Sequence, residues 1–277
     1  MSGVVEALGR KPAKGAAMEP CDELVCHERW GIDGDRAAQP DSARQVLLVD
    51  KGVLDEIGLP HGGLRENVTV AGLGLDQLSS GTALALGEVQ LRLTIVCDPC
   101  AAIGHSADLD HSRVHRRRGM LGVVAAGGRV RRGDVVADLG VAYEPIPDAV
   151  LRRCEWVARR VPPGEVLTFD QVRRAIGMAK GYVRTMPRHV RRLMDEGAPA
   201  HRLVPGGQGA AVDAEQAAAL RAEGVAVGDD GRVDQLTPWR FVEPLYAPAR
   251  WVARNASTSA TRTVRVSGGI ESSSTER

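Results

Sequence analysis

The chain has 277 residues, 36 Lys and Arg against 35 Asp and Glu, and only 3% aromatic residues. That length suits two domains better than one core; the net charge of +1 excludes a uniformly basic nucleic-acid binder but not a locally basic one; the scarcity of rings excludes a broad single-strand stacking platform. No apolar run reaches the roughly 18 residues that span a bilayer, no apolar core follows Lys11 and Lys14, and the cysteines number five, so a cytoplasmic protein with reduced thiols and no membrane partner is expected.

The first half reads as short strands divided by glycine-bearing turns. Gln45–Val49, Asn67–Val70, Val89–Val96 and Arg129–Asp138 are the predicted strands, and the third alternates with period two, placing Val89, Leu91, Leu93 and Ile95 on one face. Strands at this spacing predict a closed or nearly closed β-barrel. Near residue 145 the period becomes helical. Val150, Cys154, Val157 and Val161 line a first helix, whose Cys154 reads as core. Thr168 and Gln171 form a capping box for a second helix that stops at Gly177. Lys180–Met194 follows with apolar Val183, Met186, Val190 and Leu193 beside a stripe of Arg184, Arg188 and Arg191. Asp213 and Gln216 cap a fourth helix. Two helices around a short turn, the second with a basic face, read as a helix-turn-helix. The expected division is a first domain at 1–143, a Pro-containing linker at 144–147, a second domain at 148–245 and a disordered tail at 246–277.

The sharpest chemical feature of the first half is Cys97-Asp98-Pro99-Cys100, at the end of the alternating strand. Thiols displayed there suit a nucleophile, a sulfur carrier, a metal ligand or a redox disulfide. They equally suit two small buried hydrophobes, or a structural zinc site completed by Cys21, Cys26 and His27. Arg116–Arg118 and Arg129–Arg132 are candidate phosphate-binding runs or a solvated surface. Gly31–Arg36, Arg44–Val49, Arg65–Val70, the Cys97–Cys100 turn and Gly128–Val135 occur in the order of a MOSC domain, the C-terminal domain of molybdenum-cofactor sulfurases, and the chain resembles that family over about residues 3–140. The resemblance implies a mainly-β barrel. It implies Cys100 as the residue that binds molybdenum or carries sulfur, with Asp35, Arg36, Glu66, Asn67 and Arg118 around a bound molybdenum cofactor. Family members reduce N-hydroxylated substrates, including base analogues, with electrons from a donor that here is unidentified. A sulfide or pyridoxal phosphate ligand stays open beside the pterin. Ala37 replaces a histidine common after the family's G-D-R segment.

In the second half, residues 171–202 hold eight basic residues against Asp195 and Glu196, a phosphate-backbone footprint or a solvated helix face. Val161–Phe169, Ala175–Gly177, Tyr182–Arg184, Pro199–Val204, Glu223–Val225 and Pro238-Trp239 follow the order of the O6-alkylguanine-DNA alkyltransferase family, and residues 148–242 are similar to its alkyltransferase-like members. The resemblance implies a winged-helix-like DNA reader. Arg184 would fill the base stack when the damaged nucleotide is flipped, and Phe169, Tyr182, Arg188, Arg191, Ala200, His201, Arg202 and Glu223 would form the rest of the interface with double-stranded DNA bearing alkylated guanine. Ala200 stands where the family's repair enzymes carry the acceptor cysteine, so no thiol is present to take the alkyl group and direct dealkylation is not expected. Phe169 stands in a tyrosine position, and the loop 205–211 lacks an aromatic residue. Pro187 either breaks the recognition helix or restarts it. The combined expectation is a damaged-nucleobase protein that reduces in one domain and reads in the other. A repair scaffold without catalysis, or a sulfur carrier with a degenerate interaction domain, are the alternatives.

Overall fold

The computed structural model describes residues 1–97, 114, 117–206, 211–233 and 241–249. Its first half is built on a closed barrel. Strands β1 (Ser2–Arg10), β5 (Val46–Asp50), β6 (Val68–Ala71), β7 (Thr82–Leu86), β8 (Val89–Val96), β9 (Met120–Ala126) and β11 (Val135–Val141) run in the order β11-β7-β8-β9-β5-β6-β1, and β1 returns to β11 through Ser2 opposite Ala137. β2 (Glu19–Cys21) extends the far end of β1. Closure leaves no long free edge. Within the barrel, among the described residues, only β5 and β6 pair in parallel, and helix α1 (Lys51–Ile57) makes their crossover, starting where the Asp50 side chain accepts from Gly52 N at 2.8 Å. Strand β10 (Gly128–Arg131) leaves the barrel to join β3 (Glu23–His27) and β4 (Gly31–Ile32) in a small second sheet. The run predicted as one strand over 129–138 is thus two, because the turn at Gly133 and Asp134 redirects it.

Val5, Leu48, Val70, Leu84, Leu91, Leu93 and Val124 fill the barrel. Ile95 does not join its predicted partners. The register of β8 on β9 shifts between Leu93 and Val96, and Ile95 turns outward into a second apolar cluster. That cluster belongs equally to the helical half. Leu47, Val49, Ile95, Cys97 and Leu121 of the barrel pack in it with Cys154, Trp156, Leu167, Phe169, Ile176, Met186 and Leu193.

The helical half contains α2 (Val150–Ala158), β12 (Leu167–Thr168), α3 (Phe169–Ala175), α4 (Met186–Asp195), β13 (Leu203–Val204) and α5 (Ala214–Ala222). The capping box at Thr168 and Gln171 is formed, and Asp213 caps α5 through Gln216 N at 2.9 Å. The single helix predicted over 180–194 is divided. Lys180–Thr185 is a 3₁₀ turn and α4 begins at Met186, with Pro187 in its first turn, where a missing N–H costs nothing. Isolated bridges Ala211–Arg232 and Val227–Val233 lie after it.

Residues 246–249, expected to open the disordered tail, instead run beside the linker. Glu144 N donates to Ala247 O and Ala249 N to Ala142 O, both at 3.0 Å. Leu245 and Ala249 are buried, and Phe241 meets the Trp156 ring edge-on at 5.1 Å. Arg92, fully buried, clamps both strands of this connection through the carbonyls of Glu144 (2.5 Å) and Pro244 (3.3 Å). Residues 250–277, the rest of the expected disordered tail, lie outside the described residues.

Candidate anion site and candidate nucleic-acid interface

Asp35, Glu66 and Asn67 sit together at the base of the first candidate site, and their polar atoms are turned inward. Asn67 Nδ2 donates to Asp35 Oδ2 at 2.9 Å and to Gly9 O at 3.2 Å, while its Oδ1 accepts from Leu47 N at 3.0 Å. Asp35 also accepts from Lys11 N at 2.8 Å and Ala37 N at 2.7 Å. Glu66 accepts from Gly62 N at 2.6 Å, Leu64 N at 3.0 Å and Thr69 Oγ1 at 3.3 Å. Burial pushes the Glu66 carboxyl up, and these backbone donors oppose the shift. The three residues therefore pin the two segments that carry the site, 9–11 with 35–37 and 62–66.

Three of the cations emerge from those segments, and Arg118 stands two residues before β9. Lys11 and Arg36 flank Asp35, and the Arg36 backbone N–H donates to Lys11 O at 2.8 Å. Arg65 sits at φ +63°, a left-handed conformation rare for a non-glycine residue. Arg118 is buried and donates to Leu64 O at 3.3 Å. The next residue, Gly119 at φ +99°, lets the chain pass β5 closely, since a Cβ there would stand 2.0 Å from Leu48 O. Burial, then the charges of Arg65, Arg36 and Arg118, hold the Lys11 ammonium below the ordinary lysine value, while Asp35 opposes them. Four cations thus share one neighbourhood with Asp35 and the buried Glu66, whose carboxylates are already bonded to backbone donors. The side chains of Lys11, Arg36 and Arg65 make no ion pair among the described residues. Such a cradle is repulsive when empty and fits a polyanion. The resemblance named Arg36 and Arg118; Lys11 and Arg65 were missed, although the unusual backbone demanded of a residue just before the E-N segment is legible only in three dimensions.

Arg117, Arg129 and Arg131 are engaged elsewhere. Arg129 and Arg131 both pair with Glu23 on the outer sheet, and Arg117 pairs with Glu56. For these the solvated-surface reading holds. Beside the cradle lies a cleft of about 470 Å³ lined by Glu6, Met18, Cys21, His61, Glu66 and Arg132 among others. Cys97 is fully buried at the end of β8 in the shared apolar cluster, which is the small-hydrophobe reading for this thiol. Cys26 and Cys154 are buried, and burial pushes each thiol up to about 12. Cys100 and Arg116 lie outside the described residues. Among the described residues no group of three or more His, Cys, Asp and Glu side chains is arranged to hold a metal.

In the helical half, Ala200 is fully buried below the 3₁₀ turn Ala200–Arg202. His201 Nε2 lies 2.9 Å from Glu223 Oε1, and Arg202 Nη2 donates to the same oxygen at 2.7 Å. Glu223 also accepts from Gly164 N at 3.2 Å. Arg202 chiefly, with His201 and this backbone donor, holds the Glu223 carboxyl down at about 2. Phe169 is buried and lines a cavity of about 480 Å³ with Pro187, Arg188, Val190, Met194 and Gln216.

The basic stripe is smaller than its sequence. Arg173 and Arg174 pair with Asp170, Arg174 also with Asp41, Arg191 with Asp213, Arg192 with Glu196, and Arg202 with Glu223. Arg184 and Arg188 are exposed on the 3₁₀ turn and the first turn of α4, Lys180 is exposed before them, and none of the three has an ion-pair partner among the described residues. Tyr182 projects beside Arg184, 46% exposed. Pro238 and Trp239 lie outside the described residues.

Residues 41–137 match the family model described as the MOSC domain, a span that ends before the helical half begins. No curated protein matches the chain. Among solved structures, the YuaD protein from Bacillus subtilis is 21% identical with a TM-score of 0.42, the alignment covering 49% of this chain and 94% of that one. YiiM from Escherichia coli is 20% identical with a TM-score of 0.41, covering 70% and 94%. YiiM from Geobacillus stearothermophilus is 12% identical with a TM-score of 0.38, covering 79% and 97%. Among the described residues no helix is long and apolar enough to cross a membrane.

Proposed function

We propose that the barrel binds an anionic, phosphate-bearing cofactor in the Lys11, Arg36, Arg65 and Arg118 cradle, and that this cofactor is the molybdenum cofactor, used to reduce N-hydroxylated nucleobases. The observation that carries the reading is the gathering of four cations near Asp35 and Glu66, two carboxylates that are already bonded. The residues fit the group's phosphate: guanidinium forks meet phosphate oxygens in pairs, and Arg118 is buried enough to hold its charge away from water. When bound, the group supplies two-electron exchange at its metal. Lys11 and the three arginines would hold its anionic end, and Asp35 and Asn67 would keep Lys11 and Arg36 in place. Glu66 would fix the turn that presents Arg65, and Cys100 is the thiolate the MOSC resemblance offers to the metal. Metal and pterin analysis of protein made in a cofactor-competent host tests this. Molybdenum at one per chain, lost on Arg65→Ala with Arg118→Ala, is the expected result; metal-free protein overturns it. Retention of labile sulfur on Cys100 without metal would favour the sulfur-carrier alternative.

A second reading concerns the helical half. We infer that it binds duplex DNA and recognises alkylated guanine without dealkylating it, as the alkyltransferase-like resemblance suggests. Three exposed cations without ion pairs among the described residues, Lys180, Arg184 and Arg188, support it, with the roughly 480 Å³ cavity between α4 and α5 available to a flipped base. Binding of a short duplex with and without one O6-alkylguanine tests it. Arg184→Ala should remove the preference for the alkylated duplex; equal binding of both duplexes by the parent protein would sink lesion recognition.

A further inference from the structure

Arg44 stands two residues before β5, at the wall of the barrel that faces the helical half. Its Nη1 donates to Gly177 O at 2.7 Å, and its Nη2 to Cys97 Sγ at 3.6 Å. The surroundings hold that guanidinium in place. Ala43 N donates to Arg174 O at 3.1 Å, Arg174 pairs with Asp41 at 3.0 Å, and Thr94 Oγ1 donates to Ala43 O at 2.7 Å. Gly177 takes φ +67°, and a Cβ there would fall 2.4 Å from Ile95 Cδ1, so the end of α3 rests directly on β8. Three residues beyond Gly177 begins the turn Lys180–Thr185, which presents Tyr182 and Arg184. Three residues beyond Cys97 in sequence stands Cys100. The end of α3, which leads to the exposed cations, and the end of β8 therefore contact one side chain.

We propose that Arg44 couples the two halves, so that DNA held on Lys180, Arg184 and Arg188 tightens the end of β8 and the thiol of Cys97. The proposal rests on the DNA reading above. A ligand on the 180–188 segment fixes the chain that follows Gly177, and the Gly177 carbonyl shares its donor with Cys97. Coupling of this kind is reciprocal, so a change at the β8 end alters DNA affinity by the same factor. The guanidinium serves the two acceptors from two separate nitrogens, whereas a lysine ammonium has a single nitrogen for both. Arg44 is a positioning residue, acting through Gly177 and Cys97.

The full chain is labelled with iodoacetamide, with and without saturating short duplex, and the rates at Cys97 and at Cys26 in the barrel core are read by peptide mass spectrometry. Duplex binding is followed in parallel by fluorescence anisotropy. Bound duplex is expected to slow labelling of Cys97 at least about fivefold, the lower end of ordinary coupling, and to leave Cys26 unchanged. Arg44→Met should still bind duplex and lose the effect, and Arg44→Lys should retain only part of it. If Arg44→Met does not fold, the wild type and Arg44→Lys decide. A Cys97 rate unchanged by bound duplex overturns the coupling, as does an effect persisting in Arg44→Met. A parallel fall at Cys26 also overturns it, because that is global stabilisation by ligand. Failure of any duplex to bind refutes the DNA reading itself, and the coupling falls with it.

Discussion

Asn67 shows what a single buried amide contributes here: one side chain joins Asp35, the carbonyl of Gly9 and the amide of Leu47. Asn67→Ala strands the buried Leu47 N–H and removes one of the two donors to Asp35 Oδ2, which keeps Lys11 N. The orphaned N–H costs about 1–3 kcal/mol, so denaturant unfolding should report a loss of at least that size, with weaker anion binding as Lys11 and Arg36 loosen. At the other end of the molecule, Glu223 titrates near 2 instead of its ordinary 4.5. A carboxylate whose folded value is depressed stabilises fully above its unfolded value and loses that contribution as pH falls through the folded one. Glu223→Gln should therefore flatten the acid limb of the stability curve between about pH 4.5 and 2; an unchanged limb would mean the Arg202 contact contributes nothing. Ala200 is fully buried and does not line the neighbouring cavity. A thiol placed there by Ala200→Cys is expected to take no alkyl group from O6-methylguanine duplex, as mass spectrometry would read directly.

At the scale of elements, α4 and the turn before it decide how much charge is available to DNA. Eight basic residues in the 171–202 stretch suggest a steep salt dependence, but five of them are ion-paired locally. Three unpaired cations imply a slope of log K against log salt of about −2.7, at roughly 0.9 per neutralised phosphate. Asp213→Asn keeps the oxygen that caps α5 and removes the partner of Arg191. It should steepen the slope by about 0.9, measured by anisotropy across a salt series; a slope already near −7 in the parent protein would show that the local pairs open on binding. The break at Pro187 matters to this surface. A continuous helix would have carried Arg184 and Arg188 on one face, whereas the 3₁₀ turn sets Arg184 on a separate, more exposed step.

For the whole molecule, the barrel wall and the helices share one apolar cluster. Leu47, Ile95 and Cys97 share it with Ile176 and Met178, and the chain returns along 241–249 to pair with the linker. Thermal unfolding followed by circular dichroism and by tryptophan fluorescence should give coincident single transitions. Two separated transitions would show that the seam adds little.

Local chemistry made much of this legible. The capping box at Thr168, the Asp213 cap, the stop at Gly177 and the alternation of Val89–Leu93 are written in adjacent residues, because each depends on bonds or periods a few positions long. The same locality explains why the G-D-R and E-N segments and the order of short strands could be recognised as a barrel. What the sequence could not contain was pairing at a distance. Whether Arg191 meets Asp213 or a phosphate, whether Ile95 faces the barrel or the helices, and whether Lys11 and Arg65 stand beside Arg118 depend on where the chain returns. The near-neutral charge was fixed by composition alone; only folding decided which charges cancel against neighbours and which four are held together, since Coulomb energy depends on separation in space and not along the chain.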